Sequence, residues 1–172
     1  MPSNKTWYER ICEKFNKAEC ECIVVGGVAS AFYGSPRMTM DLDFYIDWSK
    51  KNIMKIVSVF SENGFTSLQP ISISNISSRL KRKRLFQKKG CVVWTFVHKK
   101  YPEQVVALIF DIIPESFIEL KNRAIKEKNR IAGIPIISFG DLLKMKRRTG
   151  RKKDIEDIET LMEIETARLP RK

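Results

Sequence analysis

No stretch of the sequence approaches the roughly 20 apolar residues that a membrane-spanning helix needs. Residues 1–15 are polar and of mixed charge, which differs from a signal peptide. We therefore expect a cytoplasmic protein that makes no membrane contact. With 172 residues the chain is too short for two large lobes, and its 43% hydrophobic content is enough for one buried core.

Histidine and cysteine are also scarce. The chain has one histidine, His98, and four cysteines, at positions 12, 20, 22 and 91. Only one residue separates Cys20 from Cys22, whereas paired zinc ligands are usually about two to four residues apart. Since no second pair or nearby histidine completes a tetrahedral set, we expect buried, reduced thiols rather than a metal or redox site.

Acidic residues are few relative to basic ones. Lys and Arg number 32 against 20 Asp and Glu, which gives a net charge of +12. Such a surface attracts polyanions such as nucleic acid, nucleotides or acidic membranes, and charge alone does not choose among them. The positive charge is concentrated in two blocks: Arg79, Lys81, Arg82, Lys83, Arg84, Lys88 and Lys89, then Lys144, Lys146, Arg147, Arg148, Arg151, Lys152 and Lys153. An RNA acceptor would contact these groups through its backbone, and a solvated face is the alternative.

Hydrophobic patterning predicts a mixed α/β fold, with a β-sheet flanked by helices and a helical pair at the C-terminus. Helical spacing predicts helices over residues 6–18, 49–64 and 115–123, one that starts at Ser138 and ends at Gly150, and a last one through Ile155, Ile158 and Leu161. Apolar runs predict strands over residues 23–25, 41–47, 91–97, 105–113 and 131–137, with 91–97 and 105–113 as antiparallel neighbours. Residues 66–78 are rich in Ser and Ile without a helical period, which predicts irregular structure or an edge strand. We expect a core of residues 1–137, on which helices within 138–172 pack to form one compact domain.

The most informative strand is residues 41–47, which alternates strictly between acidic or aromatic and apolar side chains. Asp41 and Asp43 project from one face, about 7 Å apart at their Cα atoms. Two such carboxylates repel one another unless a cation lies between them, and hard oxygen ligands suit Mg²⁺ or Mn²⁺. The alternative is a pair of solvent-facing acids on an amphipathic edge strand.

Some fifteen residues upstream, a predicted strand runs into Gly26 and Gly27. Backbone N–H groups at such a turn can hold a triphosphate, and the missing side chains allow close approach, although an isolated Gly-Gly pair indicates only a turn. No Lys-Ser or Lys-Thr follows and the pattern is not G-x-G-x-x-G, which excludes P-loop and Rossmann sites here. Between the glycines and the acids, Arg37 and Thr39 supply a cation and a hydroxyl that can reach phosphate or orient a carboxylate.

These residues carry a family resemblance. Gly26-Gly27 with Ala29, followed by Arg37-Met38-Thr39-Met40-Asp41-Leu42-Asp43-Phe44, resembles the signature of the DNA polymerase β-type nucleotidyltransferase superfamily, above all its minimal nucleotidyltransferases and abortive-infection toxin relatives. Residues 141–146 and 151–158 are similar to the C-terminal helical motif of those relatives. The resemblance extends over residues 23–47 and 138–161 and implies a nucleotidyltransferase fold.

The resemblance also implies a third carboxylate on a later strand. Asp111 is the match, because it is the one acid within the apolar run 105–113, where an uncompensated charge is costly. Glu115 is the fallback, and an acid that reaches solvent at a strand end is the alternative. The implied mechanism has Asp41 and Asp43 hold the metal bound to the NTP phosphates, while Asp111 shares a second metal and helps deprotonate the attacking hydroxyl.

Two further positions are implied in the C-terminal motif. Lys146 would lie near the nucleotide, and Asp154 or Asp157 would support the site from the neighbouring helix. The alternative for these acids is a favourable interaction with the helix dipole, since they lie near the start of a predicted helix.

Two hypotheses of function follow. The first is an Mg²⁺-dependent nucleotidyltransferase that transfers an NMP from an NTP to a hydroxyl and releases pyrophosphate. Its acceptor would be RNA such as tRNA, or a partner protein as in toxin–antitoxin systems, with small acceptors such as aminoglycosides also open. The alternative is a catalytically degenerate protein of the same fold that binds nucleic acid or a partner protein.

Overall fold

The computed structural model describes residues 5–89, 93–110 and 115–168, and gives only the backbone for 86–89. The strands in these ranges are β1 (Cys22–Val25), β2 (Asp41–Ile46), β3 (Phe65–Ser67), β4 (Val93–His98), β5 (Val105–Ile109), β6 (Arg130–Ile131) and β7 (Ile134–Pro135). The helices are α1 (Trp7–Lys17), α2 (Gly26–Phe32), α3 (Lys50–Glu62), α4 (Ile73–Ile76), α5 (Arg79–Lys89), α6 (Phe117–Lys126), α7 (Phe139–Thr149) and α8 (Lys152–Arg168). The mixed α/β class with a C-terminal helical pair is therefore confirmed.

Five strands form one mixed sheet in the order β1-β2-β5-β4-β3. Strands β2 and β5 are parallel, and the other neighbours are antiparallel, including β4 and β5 as predicted. The register aligns Asp43 with Val25 on β1 and with Ala107 on β5. These pairings fix which side chains can surround the acidic end of β2.

Alternation along β2 divides its side chains between the two faces of the sheet. On one face, Phe44 stacks on Phe15 of α1 with ring centroids 4.9 Å apart, and Phe60 of α3 stacks on Phe96 at 4.3 Å. On the other face, Tyr45 lies over Phe117 of α6. The aromatic core therefore holds β2 firmly from one side, and its acids lie on the opposite face.

Local signals explain most helix boundaries. The Thr6 side chain accepts a hydrogen bond from the Glu9 N–H in a capping box, and Ser49 and Ser138 cap α3 and α7, as the sequence predicts. Helix α7 ends at Gly150, which adopts a left-handed conformation with φ of 59°. This turn sends the chain directly into α8.

The structure differs from the predicted elements in three places. Helix α5 was not predicted, because its cations leave no apolar periodicity to detect. Residues 131–137 form the β6–β7 ribbon rather than one strand, and residues 66–78 include both the end of edge strand β3 and helix α4. The predicted strand residues 91–92 and 111–113 lie outside the described ranges.

Cys12, Cys20 and Cys22 are buried and free, which confirms that prediction for three of the four cysteines. Cys91 lies outside the described residues. Burial raises the pKa of the Cys12 thiol to about 12 and that of Cys20 to about 11, so both stay protonated near neutral pH. None of the helices in the described ranges has the length and hydropathy that a membrane span requires.

Candidate active site

The glycine turn and the acidic strand meet in space. Gly26 has a φ of +63°, and a side chain on it would overlap the carboxylate of Asp43. The N–H of Gly27 donates to Asp43 Oδ2 at 3.4 Å. Two features that are separated by 16 residues in the sequence thus form one local arrangement, in which the carboxylate occupies the space left by the missing side chain.

Asp41 and Asp43 differ in their surroundings. Asp41 is exposed at the start of β2, whereas burial raises the pKa of Asp43 to about 6. The Gly27 N–H opposes this rise in the pKa, and the neighbouring Asp41 carboxylate adds to it. Asp43 is therefore a carboxylate with one long hydrogen bond and a like charge on the same strand face. A divalent cation would compensate both charges.

Thr39 lies between the glycine turn and the acidic strand. Its hydroxyl donates to the Asp41 carbonyl oxygen at 3.3 Å. A side chain on Gly27 would overlap the Thr39 side chain, so this position also needs glycine for close contact. The structure thus brings together four predicted site residues, Gly26, Gly27, Thr39 and Asp43, with Asp41 beside them.

Three cations interact electrostatically with Asp43. The positive charges of Arg151 and Lys153 counter the effect of burial on its pKa, and the charge of Asp43 also acts on Arg37. Arg151 and Lys153 are exposed and belong to the turn between α7 and α8 and to the first turn of α8. Neither was among the predicted site residues, and the signal that would have found them is the predicted helix break at Gly150. Together they form a basic rim beside the carboxylates.

Arg151 of this rim also belongs to an ion cluster in which Lys146, Asp154 and Asp157 are buried. Lys146 Nζ lies 2.5 Å from Asp157 Oδ2 and 3.7 Å from Asp154 Oδ1. Arg37 donates to both oxygens of Asp157, at 3.0 Å and 3.1 Å. Arg151 donates to both oxygens of Asp154, at 2.6 Å and 3.2 Å. We call these five residues the α7–α8 ion cluster.

Asp154 and Asp157 of the cluster stay ionised at neutral pH because their pKa values are lowered. Burial alone would raise the pKa of Asp157, but hydrogen bonds from Arg37 and Lys146 bring it below its ordinary value. The pKa of Asp154 is likewise lowered despite burial, through Arg151 and the Thr149 hydroxyl. The cluster therefore fastens the segment before β2 to the helical pair. Lys146 is 4% exposed. Any effect of Lys146 on the surroundings of Asp43 therefore acts through its neighbours in the cluster.

The predicted third carboxylate, Asp111, lies outside the described residues, and its role stays a prediction. On β5 the residue in register with Asp43 is Ala107, and Phe110 packs against Trp48 with ring centroids 5.2 Å apart. The fallback, Glu115, lies 3.4 Å from Lys144. In the part of the chain that the structure describes, no group of three or more His, Cys, Asp or Glu residues could hold a metal. Among the described residues, the candidate metal ligands at this site are therefore the two carboxylates of Asp41 and Asp43.

A cavity of about 750 Å³ lies elsewhere on the protein. Its lining includes Lys55 and Lys121, which pair with Glu19 and Glu21. The buried Asn52 amide uses its oxygen and nitrogen to bond the backbone of Glu21 and of Asp47. None of the predicted site residues lines this cavity, so it is separate from the arrangement around Asp43.

Gly26→Ala tests the contact between the turn and Asp43. We expect it to lower the free energy of unfolding by at least about 1 kcal/mol, since the new side chain meets both an unfavourable φ and the Asp43 carboxylate. Gly140→Ala is the matched control, because it adds the same methyl group to helix α7 with no atom within 4 Å and should leave stability unchanged or raise it. Urea unfolding measures both. Equal stability of Gly26→Ala and the wild type would contradict the close packing of the turn against Asp43.

No family model matches the chain, and no curated protein matches its sequence. Among solved structures, the chain is similar to JHP933 from Helicobacter pylori, with a TM-score of 0.41 and 16% sequence identity. The similarity extends over 81% of this chain and 52% of JHP933, so the chain spans about half the length of that structure. A similarity of this extent assigns neither a family nor an activity, and the candidate function rests on the site geometry.

Proposed function

We propose that the protein is a cytoplasmic, metal-dependent nucleotidyltransferase that transfers an NMP from an NTP to a hydroxyl acceptor with release of pyrophosphate. The observation that carries this proposal is the enclosed Asp43 carboxylate, which lies against the Gly26-Gly27 turn with Asp41 on the same strand face. Two carboxylates on one strand face are hard oxygen donors of the kind that Mg²⁺ or Mn²⁺ binds. The resemblance of this segment to the DNA polymerase β-type superfamily supports the same reading.

Each residue of the site has a part in this proposal. Asp41 and Asp43 would hold the cation, which would neutralise phosphate charge during the in-line displacement. Arg151 and Lys153 are the exposed cations placed to bind the triphosphate. Asp111 would help deprotonate the attacking hydroxyl. Most of the rate acceleration would come from positioning and charge neutralisation, because no covalent intermediate is needed.

Arg37 and Lys146 would act differently from the exposed cations. Both are held by Asp157, so their role in this proposal is to keep the rim beside the carboxylates in place. The proposal does not specify which NTP is used. Its acceptor is either RNA such as tRNA or the hydroxyl of a partner protein in a toxin–antitoxin pair.

A second candidate function has one specific observation in its favour. Ala107 occupies the β5 position in register with Asp43, where a third carboxylate would face the pair directly. A protein of this fold without that carboxylate would bind nucleic acid or a partner protein and would not transfer nucleotides.

The two candidates are separated by incubation with each labelled NTP, Mg²⁺ and either total RNA or cell lysate. We expect label to enter RNA or protein with the wild type, and to be lost with EDTA and with Asp41→Asn/Asp43→Asn. Asp47→Asn is the matched control, since it makes the same change just beyond the end of β2 and should retain transfer. Undiminished transfer by the double variant would refute the metal assignment, and no transfer by the wild type to any acceptor would favour the second candidate.

A further inference from the structure

Helix α5 has an unusual composition for a helix on a protein surface. Seven of its 11 residues are Lys or Arg and none is acidic: Arg79, Lys81, Arg82, Lys83, Arg84, Lys88 and Lys89. Like charges three or four residues apart destabilise a helix, and a helix that is polar on all sides gains little from packing. The charge of α5 is therefore a cost to the folded protein unless an anionic partner offsets it.

One cation of α5 serves as its anchor. Arg82 is buried, and its Nη1 donates to the carbonyl oxygen of Ile76 at 2.8 Å. The same guanidinium lies 5.0 Å from the centre of the Trp48 ring. Leu85 adds a partly buried apolar contact to the core. These contacts hold one side of the helix against the core, and Arg79, Lys81, Lys83 and Arg84 are exposed.

Four further cations of α5 are exposed: Arg79, Lys81, Lys83 and Arg84. Within residues 5–89, 93–110 and 115–168, their side chains have no ion pair or hydrogen bond. The second basic block differs in part, because Lys146 and Arg151 are paired with Asp157 and Asp154 in the α7–α8 ion cluster, and Lys144 and Lys152 also have acidic partners. Among the described residues, helix α5 thus presents four exposed positive charges that have no acidic partner.

We propose that α5 binds the phosphate backbone of nucleic acid through Arg79, Lys81, Lys83 and Arg84. Phosphate contacts of Lys and Arg supply sequence-independent affinity, and a group of exposed cations on one short helix suits a polyanion. A membrane surface fits less well, since an interfacial helix needs an apolar face and Leu80 is the one exposed apolar side chain among those described on α5.

The proposed nucleic-acid site is separate from the carboxylates. Arg82 packs on Trp48, which follows the C-terminal end of β2, whereas Asp41 and Asp43 lie in its N-terminal half. Trp48 lies seven positions after Asp41, a span of up to about 23 Å when the chain is extended. Binding by α5 therefore needs neither metal nor nucleotide, and it holds whether or not the carboxylate site is catalytic.

Fluorescence anisotropy with labelled 20-nucleotide RNA, single-stranded DNA and duplex DNA, in EDTA and without NTP, tests the proposal. We expect Arg79→Gln/Lys81→Gln/Lys83→Gln/Arg84→Gln to weaken binding about 100-fold. The slope of log K against log salt should fall by about 3 for a single strand if all four contacts are lost. The three probes distinguish RNA from DNA and single strands from duplex.

Lys14→Gln/Lys17→Gln/Lys99→Gln/Lys126→Gln is the matched control, because it removes the same charge from exposed positions on other elements. It should keep most of the affinity and the salt slope. Equal losses in both variants would overturn the proposal in favour of bulk charge. It would also be overturned if wild type bound no nucleic acid probe, or bound anionic vesicles of phosphatidylserine in preference. Unchanged binding by Asp41→Asn/Asp43→Asn separates this result from any failure of the nucleotidyltransferase proposal.

Discussion

Asp43→Asn is expected to abolish nucleotidyl transfer and at the same time to stabilise the protein. The pKa of Asp43 is raised from 3.8 to about 6, because burial disfavours its charged form. A difference of about two pH units corresponds to about 3 kcal/mol of unfolding free energy that the ionised carboxylate costs at neutral pH. Asparagine removes the charge and retains an oxygen that can accept the Gly27 N–H.

The sign of the pH dependence follows from the raised pKa. Between about pH 4 and pH 6 the folded protein binds more protons than the unfolded chain, so its stability falls as the pH rises through this window. Urea unfolding in EDTA should show this decline for the wild type and a flatter profile for Asp43→Asn. Transfer activity should fall by about 1,000-fold or more in the same variant.

Asp47→Asn is the control for both measurements, since it makes the same substitution at a half-buried site outside the pair. A loss of stability in Asp43→Asn at pH 8 would mean that the Asp43 charge is already compensated in the folded protein, which removes the main physical argument for a cation there. Retained activity would remove Asp43 from the catalytic residues.

Asp157→Asn is expected to have the largest effect on stability. It takes one charge out of the α7–α8 ion cluster and leaves Arg37 without its two-point contact and the buried Lys146 with only Asp154 at 3.7 Å. Breaking a buried ion pair costs about 3 kcal/mol or more, which for a chain of this size lowers Tm by roughly 10 °C. Thermal and urea unfolding measure the effect.

Lys152→Gln is the comparison for this prediction, because its pair with Glu156 at 4.0 Å is fully on the surface and should contribute nothing measurable. Adding Lys146→Met to Asp157→Asn should recover part of the lost stability, since it removes the cation that was left with one partner. Equal stability of Asp157→Asn and the wild type would show that water compensates these groups and that the cluster does not fasten the helical pair.

The sequence predicted the parts of the site that depend on local pattern. Alternation along residues 41–47 placed Asp41 and Asp43 on one strand face, and Ser49 and Ser138 marked helix starts through their capping hydroxyls. Each of these inferences needed only neighbouring residues and a fixed repeat.

The remaining parts depend on which elements pair in space. The alignment of Ala107 with Asp43 follows from the β2–β5 register, which no pattern within either strand reveals. The pairing of Lys146 with Asp157 joins two helices, whereas the family resemblance implied only that Lys146 lies near the nucleotide. Helix α5 escaped prediction because a uniformly charged segment has no hydrophobic period, and the role of Asp111 stays a prediction.

The pairing of Arg37 with Asp157 joins residues that are 120 positions apart, and it has a consequence for synthesis in the cell. A nascent chain can form β1, the glycine turn and β2 early, since domains fold from the N-terminus as they emerge. The partner of Arg37 is translated only with α8, so if the carboxylate site is catalytic, newly made protein should stay inactive on the ribosome until that helix docks. For an enzyme that modifies RNA or protein, such a delay would shield the translation machinery beside it.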